Sequence, residues 1–95
     1  MKKEEVDDLV VEAESVRIFV NNNQLVQAHA KTQKIEAAVL ASLAAPSPKD
    51  IEETDPRFGV LNAVVRTKAN ILAGNVSAAV KEVVQIASAL RKLRS

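Results

Sequence analysis

With 95 residues, 47% of them apolar and 26% charged, the chain suffices for one domain of modest size and is too apolar for a disordered polymer. Thirteen Lys and Arg stand against twelve Asp and Glu, and a net charge of +1 sets up no field that would gather nucleic acid or an anionic membrane. Cysteine is absent, which excludes disulfides, thiolate zinc sites and cysteine nucleophiles.

Two separate cores would each be too small, so a single domain over residues 1–95 is expected. Phe19 and Phe58 are the only aromatic residues, and packing therefore rests on Val, Ala, Leu and Ile. A planar cofactor would want more aromatic lining, so none is expected. The start, Met1-Lys2-Lys3-Glu4-Glu5, has no signal-peptide apolar run, and no stretch reaches the ~18 apolar residues of a membrane span. The expected location is cytoplasmic, or that of a recombinant protein without a targeting signal.

In chain order, Val6, Leu9, Ala13, Val16 and Val20 recur at alternating steps of three and four, one stripe of a first helix. Glu4, Glu5, Asp7 and Asp8 oppose the positive end of its dipole. Asn21-Asn22-Asn23 then supplies residues that tolerate a left-handed backbone and cap a following helix, which predicts a tight turn rather than one continuous helix. Leu25, Ala28, Thr32, Ile35, Val39 and Ser42 make the second stripe, running on into Ala44 and Ala45 until Pro46 stops it. Residues 46–54 form the longest connection, with Ser47-Pro48 as a cap and first-turn proline and room for a short turn over 49–53. Asp55-Pro56 repeats that pair and opens a third helix, assigned a buried stripe of Phe58, Leu61, Val65, Ala69 and Leu72. Gly74-Asn75 ends it and caps a fourth, with the stripe Val76, Ala79, Val83, Ile86, Leu90 and Leu93.

Displaced by 51 positions, the first half lays Val10 on Leu61, Val20 on Ile71, Leu25 on Val76, Ala28 on Ala79, Ile35 on Ile86 and Ala38 on Ala89. Both halves read helix, short turn, helix. The fold class that follows is all-α: an up-down-up-down four-helix bundle built from two tandem αα-hairpins.

The layout of hairpin, Ala37-Ala38 through Pro46-Ser47-Pro48, and second hairpin resembles the cytochrome b562 type of four-helix bundle. That resemblance implies the shape without the haem, because Met1 is the only methionine and the fourth helix has no histidine. Thr32-Gln33 to Pro46-Ser47 with Asp55-Pro56 also looks faintly like the hairpin of type III secretion needle subunits, and Ser77, Val80-Lys81 and Ile86 fall on similar positions of that family's last helix. The longer hairpin connection and the Gly74-Asn75 break depart from it.

Chemistry-bearing constellations are few. His29 is the single histidine and follows core-facing Ala28, so it belongs beside the seam, partly exposed. Phosphotransfer histidines on helices are usually followed at the third and fourth positions by Lys and Gly; Thr32 and Gln33 stand there, and an ordinary surface histidine is the expected reading. A di-metal bundle needs Glu-x-x-His, but Val26 precedes His29 by three. The serines lack a nucleophile elbow, and Gly59 and Gly74 alone make no phosphate loop. Arg91, Lys92 and Arg94 suit the negative end of the last helix.

What remains is apolar surplus off the stripes: Val11, Ile18, Phe19, Val26, Val60 and Val84. Most of it is expected to widen the core. The expectation is thus a non-catalytic bundle, a scaffold of natural or designed origin, with no metal, cofactor or small-molecule ligand and no nucleic-acid or membrane partner, present as monomer or homodimer. The alternative is a protein-interaction module using a face around Ile18, Phe19 and Val26. Phosphotransfer through His29 ranks third.

Overall fold

Four helices follow from the four stripes: α1 Lys3–Asn21, α2 Leu25–Leu43, α3 Pro56–Leu72 and α4 Val76–Arg91. The structure, a computed structural model, describes residues 2–43 and 55–93. Ala44 and Ala45, the Ser47 cap and the short turn over 49–53 therefore lie outside the described residues. Packing runs α1 on α2, α2 on α3, α3 on α4 and α4 back on α1, the square of an up-down-up-down bundle. None of the described helices is long and apolar enough to cross a membrane.

Each hairpin turn closes by the same hydrogen bonds. After α1, the Asn23 N–H donates to Val20 O (3.0 Å) and the Gln24 N–H to Phe19 O (2.8 Å), with Asn23 left-handed at φ 58°. After α3, the Gly74 N–H donates to Ile71 O (3.1 Å) and the Asn75 N–H to Asn70 O (2.9 Å), with Gly74 at φ 74°. This is the Schellman closure, which needs one residue past the helix in left-handed backbone. Asn and Gly are the two types that take it at least strain. The donors and acceptors of the two turns differ by 51 positions throughout, so the weak sequence repeat is a true structural one.

The caps divide. Asp55 accepts the Arg57 N–H at 2.9 Å and opens α3 behind Pro56. Asn75 occupies the N-cap of α4, but its side chain makes no capping bond. None of the three asparagines starts α2; Gln24 stands before its first residue, accepting from the Ala28 N–H through its carbonyl.

The stripe of α1 is buried as expected; of the α4 stripe, Ala79, Val83, Ile86 and Leu90 are buried but Val76 and Leu93 only half-buried, and in α2 Ala28, Thr32, Ile35 and Val39 are fully buried, Leu25 half-buried and Ser42 exposed. The assignment for α3 is corrected. Val65, Ala69 and Leu72 are exposed and Phe58 is half-buried; of the five expected, Leu61 alone is in the core. Val60, Val64, Thr67 and Ile71 point inward instead. The reason is visible on the flanks. Arg66 Nε reaches Glu82 on α4 (2.8 Å) and Lys68 Nζ reaches Glu36 on α2 (3.3 Å), which turns the residue between them, Thr67, toward the centre. Burial of its hydroxyl is tolerated because it donates to Ala63 O at 2.7 Å, and Thr32 does the same to Ala28 O at 2.8 Å. By the 51-residue displacement Thr67 matches Val16 and Thr32 matches Val83, all four buried and of one shape.

Candidate functional surface on helices α2 and α3

A second outcome of the rotation of α3 is that it turns an apolar stripe to solvent. Leu72 is 75% exposed and Val65 48% exposed, one helical face apart by seven residues, with Ala69 between them. On the neighbouring helix Val26 is 82% exposed, and Ala30, Gln33, Ala37 and Ala41 continue its outward stripe. At the turn end the two stripes meet across a groove of about 270 Å³ lined by Leu25, Val26, His29, Ile71 and Leu72.

Among the described residues, no charged side chain stands free on this face. The charged residues of α2 are Lys31, Lys34 and Glu36, and those of α3 are Arg57, Arg66 and Lys68. Lys31 and Lys34 turn toward α1 and share Glu12 at 3.1 and 3.7 Å, and Arg66 turns toward α4 and Glu82. Glu36 and Lys68 neutralise each other inside the α2–α3 seam, and Arg57 folds onto Asp55 at 3.0 Å. That last contact holds the Asp55 carboxyl below its ordinary range, through the Arg57 side-chain hydrogen bond first and the Arg57 N–H second.

The repeat supplies an internal control. The α1–α4 face has the same backbone frame, yet it places Ser77 where the other face has Val26, Lys81 for Ala30, Ser88 for Ala37, Glu14 for Val65 and Asn21 for Leu72, and in the opposite sense Val84 for Gln33 and Ile18 for Ala69. Val11, Ile18 and Val84 are exposed on α1 and α4, but charged Glu14, Arg17 and Lys81 are interleaved with them. The equivalent groove, about 540 Å³, is lined by Asn21, Val76, Ser77, Val80 and Lys81. Since folding asks the same of both frames, the apolar character of the α2–α3 face is not a requirement of the bundle.

The residues singled out in the sequence separate here. Val26 lines the apolar groove; Ile18, 55% exposed, and half-buried Phe19 do not. Of the apolar surplus, Val60 joins the core and Phe19 packs partly against it, whereas Val11, Ile18, Val26 and Val84 remain exposed rather than widening it. Val65 and Leu72 were missed as surface residues because their spacing imitates a core stripe. Half-buried His29 sits on the groove wall among Leu25, Val26 and Leu72. Among the described residues, no three His, Asp or Glu side chains gather as a metal site would require. No protein-family model, curated protein or solved structure matches the chain.

Proposed function

We propose that the chain is a non-catalytic helical-bundle module that works through protein contact, with the outward face of α2 and α3 as its contact surface. One observation carries this: Val26 and Leu72 stand 82% and 75% exposed on a face without a free charge among the described residues, while the equivalent face of the same fold has Ser77 and Asn21 at those two positions. Exposed apolar area that folding does not demand marks an interaction surface. The partner class is protein rather than nucleic acid, because all six charges of α2 and α3 have partners within the chain. No catalytic role is assigned to His29, whose neighbours in the groove are aliphatic.

The test is chemical cross-linking in a cell extract, comparing the unaltered chain with Val26→Glu/Leu72→Glu and with Asn21→Glu/Ser77→Glu, the matched pair on the other face. A cross-linked species, to itself or to another protein, lost with the first pair and kept with the second, is expected. Identical patterns for all three proteins would leave an inert scaffold. Treating the unaltered chain with acetyl phosphate, followed by mass spectrometry, addresses the remaining chemistry: acid-labile phosphate on His29 would overturn the non-catalytic reading.

A further inference from the structure

Resting on that reading, we infer that His29 gates the α2–α3 groove by pH: the neutral imidazole completes an apolar wall, and protonation places there a cation that a covering partner would have to strip of water. Histidine is the side chain that changes charge between about pH 5 and 8, and the chain has one, in this wall.

The repeat shows that folding does not ask for an imidazole here. Displaced by 51 positions, His29 falls on Val80, as Leu25 and Val26 fall on Val76 and Ser77, and each trio lines the turn-end groove of its own face. His29 and Val80 are both half-buried. An aliphatic side chain therefore fits the frame at this place. The titratable one stands on the face where apolar Val26 and Leu72 are exposed, and the aliphatic one stands beside Asn21, Ser77 and Lys81.

Among the described residues no carboxylate pairs with the ring, and the charges around it are committed elsewhere. The helices packed against α2 are α1 and α3. On α2 itself, Glu36 lies two turns from His29 and is bonded to Lys68, the charged residue of α3 on the same seam. Arg66 of α3 is turned away to Glu82 on α4. From α1, Glu12 is shared by Lys31 and Lys34, and Glu14 holds Arg17. The charges preceding Leu9 in α1, and Arg57 at the start of α3, are at the opposite end of the bundle from the groove.

In the open groove either form of the ring keeps contact with water. Under an aliphatic cover the neutral ring loses little, whereas an imidazolium would be buried without a counter-charge, which is the costlier state. Binding and protonation therefore compete. The complex holds fewer protons than the free chain, so contact is complete on the alkaline side of the His29 titration and weakens as pH falls through it, by at most ~10-fold per pH unit for a single proton.

The probe is Nile red, an uncharged dye that brightens in apolar surroundings, titrated into the full chain at about pH 7.5 and about pH 5.5, on either side of the histidine range. The unaltered chain should bind it at least ~3-fold more weakly at the lower pH, His29→Val equally at both, and His29→Lys weakly at both, with helix content by circular dichroism the same throughout. Saturating dye should also move the titration of the His29 ring proton, followed by NMR, to lower pH, a change that a merely structural histidine would not show. Val26→Glu/Leu72→Glu should abolish uptake at either pH. Binding by the unaltered chain that is the same at both pH values, yet lost with Val26→Glu/Leu72→Glu, overturns the gate and leaves the contact surface to the cross-linking test above. A pH dependence that persists in His29→Val overturns the role of His29. Failure of the unaltered chain to take up the dye, or uptake indifferent to Val26→Glu/Leu72→Glu, overturns the groove as an apolar site and the gate with it.

Discussion

Ile35 and Ile86 occupy equivalent places 51 positions apart, and both are wholly buried, as are Val39 and Leu90 one turn further on. Truncation of either isoleucine to Ala removes three carbon atoms from a site without solvent access. At about 0.8 kcal/mol per buried methylene, transfer alone accounts for ~2.4 kcal/mol, and the cavity left behind brings the expected cost to about 2–5 kcal/mol. A domain of this size loses about 4–8 °C of thermal midpoint per kcal/mol, so each variant should melt at least ~10 °C lower. The equivalence of the two hairpins adds a tighter expectation: the two costs should agree within about 1 kcal/mol, and Gln85→Ala, exposed on α4, should change stability by less than about 0.5 kcal/mol. Denaturant unfolding followed by circular dichroism measures all three at a common slope. A cost at Ile86 no larger than at Gln85 would refute the burial of this face of α4, and costs at Ile35 and Ile86 several kcal/mol apart would refute the equivalence of the hairpins.

Three further outcomes follow from local geometry. Val64→Ala should destabilise the fold by about 1–3 kcal/mol and Val65→Ala hardly at all, as read by thermal melts; the reverse order would restore the stripe first expected for α3. Gly74→Asn should be tolerated because Asn23 takes the same backbone in the first turn, whereas Gly74→Val should cost more than about 1 kcal/mol, and equal midpoints for the two would show that the turn does not hold φ 74°. Asp55 ionises below its ordinary range in the folded chain, so its contribution is complete above its unfolded-state pKa and is lost as pH falls through the lower folded value; Asp55→Asn, which keeps the cap and drops the charge, should flatten that acidic limb of the stability profile, and an unchanged limb would show that Arg57 does not stabilise the carboxylate.

Most of the fold was legible because helical periodicity and turn chemistry agree. In α1 and α4 one apolar stripe recurs without interruption, while Val11, Ile18, Phe19 and Val84 are scattered off it and form no rival stripe. In α3 the pattern is degenerate: Phe58, Leu61, Val65 and Leu72 make one plausible stripe, and Val60, Val64 and Ile71 make another. The choice between them hangs on Thr67, which counts as polar in a sequence and turns inward once its hydroxyl finds the Ala63 carbonyl, and on Arg66 and Lys68 reaching partners 16 and 32 residues away. The two ion pairs are non-local, and no short window of sequence contains them. The candidate surface was hidden for the same reason, since half of it is the stripe that looked like core. Val26 was visible as surplus; its neighbour Leu72 was not.

Two apolar faces on one helix are also what distinguishes the two halves of this bundle. The repeat fixes the inward face of α3 against α1, Val60 on Leu9, Val64 on Ala13 and Ile71 on Val20, and all six are buried. Nothing in that inward requirement constrains positions 65, 69 and 72, whose counterparts in α1 are Glu14, Ile18 and Asn21. A helix with one buried stripe is stabilised by packing whichever residues face water, and charged residues there improve solubility without loss of core. Val65, Ala69 and Leu72 beside Val26 therefore leave an apolar stripe at the surface that inward packing does not require. The α1–α4 face, equal in frame, holds Glu14, Asn21, Ser77 and Lys81 at the positions of Val65, Leu72, Val26 and Ala30, so the same inward packing is compatible with polar residues there.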